Sequence, residues 1–179
     1  PRPEAKEALQ ELRRIGIRRS VLLTGDRKAV ARRIGAALEM DEVIAEVLPE
    51  QKLETVHREK AADRSVMMVG DGVNDALALA SGDVGVALGA VASDIALQSA
   101  DIALMSNDLR RLPQAVELAR GTRAAIHENV LIGAGASIAL VALASSGVIN
   151  PLIGVILHNV GELFVIINSA RILRFSRES

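Results

Sequence analysis

The sequence predicts an α/β domain on a parallel sheet, followed by a hairpin of two membrane-spanning helices. Three observations carry this expectation. Short apolar runs alternate with helix-period segments between Pro3 and Met105. Two polar turns, Thr24-Gly25-Asp26 and Gly70-Asp71-Gly72-Val73-Asn74-Asp75, stand directly behind two of those runs. Residues 130–149 carry no charge, and residues 152–170 are interrupted chiefly by His158, Asn159 and Glu162.

Residues 3–15 place Ala5, Ala8, Leu9, Leu12 and Ile15 on one helical face, with Gly16 as the stop. Residues 20–23 read as a short strand, and residues 27–38 as a helix carrying Val30, Ile34 and Leu38. A strand over 42–47 and a charged, exposed helix over 50–61 follow. Next come a strand over 65–69, a helix over 75–80, a strand over 84–88, a helix over 92–97 and a strand over 101–105. Strands separated by helices of this length require right-handed crossovers and a parallel sheet covered on both faces. Ligands of such sheets sit beyond the carboxyl ends of the strands. Both polar turns fall at such ends, so they can share one site.

Residues 112–128 form an amphipathic helix whose only strong breaker is Gly121, so one long helix can join the domain to the first apolar span. A 20-residue helix covers about 30 Å, the thickness of the bilayer hydrocarbon. Arg120 and Arg123 precede the first span, and Arg171, Arg174 and Arg177 follow the second; the Asn150-Pro151 turn is uncharged. The positive-inside rule places both outer ends in the cytoplasm. The competing reading is a buried hairpin in a soluble core, with Gly133, Gly135 and the alanines packing closely; too few aromatics are present to fill such a core. The expected divisions are 1–110, 111–129 and 130–175.

The chain of 179 residues has a formal charge of −1, 1% aromatics and no cysteine. Nucleic-acid binding is set aside, since it calls for clustered basic residues with aromatics to stack on. Thiolate ligands and disulfides are excluded within this stretch. With Pro1 first and no signal-peptide pattern, the chain reads as a fragment or a processed product.

The Gly70–Asp75 turn brings two carboxylates and an amide together behind an apolar strand. Mg²⁺ wants oxygen ligands and is usually held by one or two carboxylates plus substrate phosphate. Gly70 and Gly72 allow a tight turn and close approach to that phosphate. A lone Asp-Gly pair would instead read as a loop in which Asn74 or Asp75 caps a helix. Thr24 offers a hydroxyl and Gly25 a backbone N–H to a phosphoryl oxygen; Asp26 is most simply an N-cap. Pro49-Glu50-Gln51-Lys52 puts a lysine at the start of a helix, where it either neutralises a phosphoryl group or lies on a solvated face. Together these are the parts that position charge in phosphoryl transfer.

Thr24-Gly25-Asp26, Pro49-Glu50-Gln51-Lys52 and Gly70-Asp71-Gly72-Val73-Asn74-Asp75-Ala76 resemble three ordered motifs of P-type ATPases, in the haloacid-dehalogenase superfamily. Asp83-Val84-Gly85-Val86-Ala87-Leu88-Gly89 and Ala100-Asp101-Ile102-Ala103-Leu104 match the same family, and the resemblance runs from Pro1 to about Phe175. It implies a haloacid-dehalogenase-like, Rossmann-like phosphorylation domain, here partial. Asp71 becomes the Mg²⁺ ligand, with Asn74 and Asp75 supporting phosphate and metal geometry. Thr24 bonds the phosphoryl group, and Lys52 bridges phosphate and nucleophile. Leu77 stands where the family commonly has proline, a mild change in a first helical turn. The family's phosphorylated Asp-Lys-Thr-Gly-Thr motif does not occur, nor do its nucleotide-binding and actuator domains. The chain therefore resembles the carboxy-terminal part of a pump whose missing amino-terminal part handles ATP, and by itself it should be inactive.

Two closing helices, and Asn168-Ser169-Ala170-Arg171, resemble the heavy-metal branch. His158 and Glu162 share a helical face, with Asn159 beside them. Intramembrane ionisable groups usually face an ion path, and imidazole with carboxylate suits divalent Zn, Co, Mn or Fe. Hydrogen bonding to neighbouring helices is the alternative role. The expected setting is the cell membrane, with the soluble part cytoplasmic and a divalent metal as cargo. The alternatives are a membrane-anchored phosphatase of the same superfamily and a non-catalytic membrane-bound regulator. Asp26 is the only early nucleophile for the former, and Lys28 stands where its second aspartate belongs.

Overall fold

Helix α1 (Ala5–Arg14) buries Ala5, Ala8 and Leu12, one stripe at three- and four-residue spacing. Glu7 lies in its first turn and Arg13 and Arg14 in its last, each sign matched to the helix dipole. Gly16, at φ +96°, turns the chain out of the helix. The computed structural model describes residues 3–71, 74–89 and 98–173. They divide into two units, residues 1–114 and 115–179.

In the first unit α1 is followed by β1 (Val21–Leu23), α2 (Lys28–Ala37), β2 (Glu42–Ile44), α3 (Pro49–Ala61), β3 (Met67–Gly70), α4 (Ala76–Ser81), β4 (Val84–Leu88) and β5 (Ile102–Leu104). All pairings are parallel: Val21 stands opposite Glu42, Met67 opposite Val84, and Val86 opposite Ile102. The expected single sheet is corrected to two, β1-β2 and β3-β4-β5. Ladder bonds need strands about 4.8 Å apart, and among the described residues β1 and β3 are not hydrogen-bonded. Leu23 of β1 nonetheless packs against the core cluster of Val56, Met68, Ala78 and Leu79. The second strand stops at Ile44 rather than at 47, because Glu46 adopts a left-handed conformation, φ +59°. The helix expected over 92–97 lies outside the described residues.

Each ladder is anchored at its amino end by an aspartate just ahead of a strand. Asp41 accepts hydrogen bonds from the Ser20 N–H and hydroxyl, both 2.7 Å. Asp83 accepts from Val66 N–H and Asp101 from Gly85 N–H, both 2.8 Å. The three carboxylates satisfy backbone donors that the short strands leave unpaired. The carboxyl ends are thereby left to the polar turns.

Helix α5 (Arg111–Ser145) runs unbroken through Gly121. It ends before Gly147, at φ +74°. Helix α6 (Pro151–Ala170) starts with Pro151 in its first turn and Asn150 as N-cap, whose side chain accepts from Ile153 N–H at 2.9 Å. Both helices are long and apolar enough to cross a membrane, and their apolar windows are exposed rather than buried. The close packing at Gly133 and Gly135 that a buried hairpin in a soluble core would require is not seen: a Cβ at either, or at Gly161, would meet nothing within 4 Å.

Candidate functional site

The site is assembled at the carboxyl ends of β1 and β3. Strand β3 delivers Gly70, itself buried, to the turn that begins α4. A Cβ on Gly70 would stand 2.8 Å from Asp75 Oδ2, so the bare glycine is what lets that carboxylate fold back over the strand end. Asp75 occupies the N-cap position of α4 but makes no side-chain cap. It is instead ion-paired to Lys52 Nζ, with the two side chains only 16% and 12% exposed. The helix-cap alternative for Asp75 is therefore set aside, and Lys52 does not lie on a solvated face.

Lys52 is held by the start of α3. Pro49 supplies the fixed φ of a first helical turn, and Gln51 Oε1 accepts from Leu48 N–H at 2.8 Å. Backbone bonds tie this segment to the Thr24 turn: Val47 N–H donates to Thr24 O at 3.2 Å, and Glu46 N–H to Asp26 O at 3.0 Å. Thr24 Oγ1 accepts from Asp26 N–H at 3.1 Å, which fixes the hydroxyl over the turn. The polar segments around 24–26, 49–52 and 70–75 are thus joined through named contacts.

Two expectations are corrected or left aside. Asp26 is not the cap of α2; Arg27 takes that position without a side-chain cap. Glu46, turned back by its left-handed backbone, does the capping by accepting from Lys28 N–H at 3.3 Å. No sequence signal marks that role, because a glutamate at positive φ is not a turn residue by type. Gly72, with Val73, lies outside the described residues. Asp71, Asn74 and Gly25 are exposed, and Gly25 has Val47 O at 3.6 Å from where its Cβ would stand.

The donor set fits Mg²⁺. Asp71 and Asp75 carry hard oxygen donors at the end of β3 and the start of α4, and among the described residues no group of three or more His, Asp or Glu gathers to cage a metal alone. Magnesium keeps several waters and takes its remaining oxygens from a phosphorylated substrate, so two carboxylates suit it.

On α6, His158 Nε2 stands 3.3 Å from Glu162 Oε1, and both side chains are more than half exposed. Asn159 is also exposed, rotated about 100° around the helix from His158. At the other end of this helix lies a polar group the sequence reading missed. Asn168 donates to Asn129 Oδ1 at 2.8 Å, Asn129 donates to Ser169 Oγ at 2.8 Å, and Arg171 reaches Glu128 Oε2 at 2.9 Å. Its signal was Glu128, the last charge before the apolar run.

Known proteins resemble this chain along nearly all its length. The family model for haloacid dehalogenase-like hydrolase matches residues 1–83. The chain is 40% identical over 174 residues to a manganese-exporting P-type ATPase of Mycobacterium leprae, covering 97% of the chain and 24% of that relative. It is 40% identical over 177 residues to a zinc-exporting P-type ATPase of Mycobacterium marinum, covering 99% and 24%. A crystal structure of a zinc-transporting PIB-type ATPase in its E2.Pi state superposes with a TM-score of 0.87 at 34% identity, covering 96% of this chain and 28% of that one. The chain thus spans about a quarter of the length of the proteins it matches. Its sequence along nearly all its length, its parallel-stranded fold and its paired apolar helices place it in one family: the chain belongs to the heavy-metal-transporting branch of the P-type ATPases and corresponds to their carboxy-terminal part.

Proposed function

We propose that this chain forms part of an ATP-driven pump that exports a divalent transition-metal ion across the cell membrane, with residues 1–110 on the cytoplasmic side as the end of the phosphorylation domain. Residues 111–129 then serve as the connecting helix, and residues 130–175 as the hairpin in the lipid bilayer. The observation that carries this reading is the Lys52–Asp75 pair, which sets a largely buried cation beside the carboxylates at the strand ends.

In this reading the phosphorylated aspartate and the nucleotide-binding residues come from the rest of the polypeptide. We place the strand bearing that aspartate between the unpaired edges of β1 and β3, where both carboxyl-end turns flank it. Thr24 and the Gly25 N–H hold the phosphoryl oxygens, and Lys52 neutralises charge that develops on them. Asp71 and Asp75 hold Mg²⁺, with Asn74 and the Gly70–Gly72 backbone orienting the group. When bound, the metal withdraws charge from the phosphoryl oxygens. Without the nucleophile this chain alone does not turn over ATP. His158 and Glu162, with Asn159 near them, are read as ligands for the transported ion; the manganese and zinc named for the two relatives both accept nitrogen and oxygen donors.

Restoring the upstream segment and following acid-stable phosphate incorporation from ATP tests the proposal. Phosphorylation that rises with zinc, cobalt or manganese is the expected result. Phosphatase turnover by this chain alone would overturn it.

A further inference from the structure

Residues 115–179 hold their two helices together mainly at one end. Glycines 133, 135 and 161 open onto empty space, so the apolar stretches make no tight seam there. The specific ties lie where the charged half of α5 gives way to its apolar half. Asn129 Nδ2 donates to Ser169 Oγ at 2.8 Å, and Asn168 Nδ2 donates to Asn129 Oδ1 at 2.8 Å and to Glu128 Oε2 at 3.3 Å. Arg171 closes the group on the same Glu128 oxygen at 2.9 Å. These bonds join positions about forty residues apart, so they report helix placement rather than local helix chemistry.

We propose that Glu128, Asn129, Asn168, Ser169 and Arg171 form an interhelical clamp that fixes the rotation and height of α6 against α5. The clamp thereby positions the His158–Glu162 pair, a consequence that rests on the transport reading above. The ties come from Asn168, Ser169 and Arg171 at the end of α6 and converge on the adjacent Glu128 and Asn129 of α5, so together they resist both rotation and sliding. Slipping α6 by one residue would rotate His158 by about 100° and move it about 1.5 Å along the axis. Such a slip would also strand the Glu128 carboxylate beside the apolar run, where an unpaired charge is expensive. Polar bonds between helices are a recognised tie where lipid offers no hydrophobic drive to associate. The five residues are positioning residues; none is proposed to touch the ion.

The test uses the full-length protein in membranes. Asn129→Cys with Ser169→Cys should cross-link readily on mild oxidation, since the native side chains already touch, and the cross-link should raise metal-stimulated ATPase activity above that of the reduced form, which lacks the Asn129 bonds. Arg171→Glu should lower metal-stimulated activity by about tenfold or more while phosphorylation from inorganic phosphate persists, and adding Glu128→Arg should recover most of the loss. Absence of cross-linking, unchanged activity in Arg171→Glu, or loss of both reactions without rescue by the swap would overturn the clamp. A wild-type protein that expresses but shows no metal stimulation would overturn the transport reading instead. Cross-link yield would then decide the clamp by itself.

Discussion

Lys52 and Asp75, separated by 23 residues and carried on different elements, are joined as an ion pair at the mouth of the Gly70–Asp75 turn. One of the two carboxylates expected to hold a cation therefore already has one. Removing Lys52 should act in opposite directions on two measurements. In this chain, Lys52→Ala should tighten Mg²⁺ binding from the millimolar range, because the metal no longer shares Asp75 with an ammonium. In the restored full-length protein the same substitution should suppress phosphorylation by ATP, since the phosphoryl charge loses its partner. Calorimetric titration and phosphate incorporation separate the two effects, and weaker Mg²⁺ binding in Lys52→Ala would show that the lysine organises the carboxylates rather than competing for them.

Asp71→Asn removes a ligand charge without changing size. In the full-length protein it should lower phosphorylation by ATP by about 10²–10³, the scale seen when one charge-stabilising group is lost. Glu50→Gln is the control: that side chain is exposed on α3, and its loss should change little. Equal activity in Asp71→Asn and wild type would remove Asp71 from the metal site.

The strand end at Gly70 and the helix start at Ala76 were legible because residue type and place coincide: an apolar run, then glycine and carboxylates. The unbroken α5 was legible because Gly121, Gly133 and Gly135, scattered among good helix formers, do not stop a helix. Strand pairing was not. Whether β1 joins β3 depends on what lies between them, and an apolar run does not say which edge it presents. Partner choice was hidden for the same reason. The sequence puts a lysine on α3, but only the assembled loops decide that Asp75 receives it. Glu46 was missed because its left-handed backbone has no residue-type signal. The Glu128–Arg171 contact was missed because it spans 43 residues.

Two glycines should prove irreplaceable for different reasons. Gly70→Ala puts a methyl 2.8 Å from Asp75 Oδ2, so it should break the Lys52 pair and cripple phosphorylation with modest loss of stability. Gly85→Ala drives a methyl to 2.5 Å from the Leu79 carbonyl, which is backbone and cannot swing aside. That variant should cost about 1–3 kcal/mol of stability, the range for overpacking. Thermal unfolding and phosphorylation assays on both variants should show this split; a stable, normally folded Gly85→Ala would refute the close approach of β4 to α4.

Acid should loosen the first unit in a narrow window. Glu59 is held below the ordinary glutamate range, first by its hydrogen bond from Arg64, 2.6 Å away, and then by Arg19, Arg64 and Arg58 through their charge. Asp83 is lowered first by Val66 N–H and then by Lys60, and Asp41 first by the Ser20 hydroxyl and then by the Ser20 N–H. Because the folded values lie below the unfolded ones, their stabilisation is complete above the ordinary carboxylate range and is lost as pH falls through the lowered values. The calorimetric midpoint should be level from about pH 7 to 5 and fall below about pH 4. Glu59→Gln should flatten part of that fall; a wild-type midpoint unchanged down to about pH 3 would contradict the assignment.

The last prediction concerns the ion. His158 and Glu162 face each other at 3.3 Å on a helix of largely apolar residues, an arrangement that would be expensive inside a bilayer unless something pairs with it. A transported divalent ion would supply that partner, and so would hydrogen-bonding groups on helices upstream. Mutation separates the two. His158→Ala and Glu162→Gln, each in the full-length protein, should abolish ATPase stimulation by the metal, while phosphorylation from inorganic phosphate, which needs no transported ion, should survive. Asn159→Ala, about 100° around the helix from His158, should have the smaller effect. If His158→Ala and Glu162→Gln both express poorly or lose phosphorylation in both directions, the pair holds helices together. If both transport normally, His158 and Glu162 are not the ion's ligands.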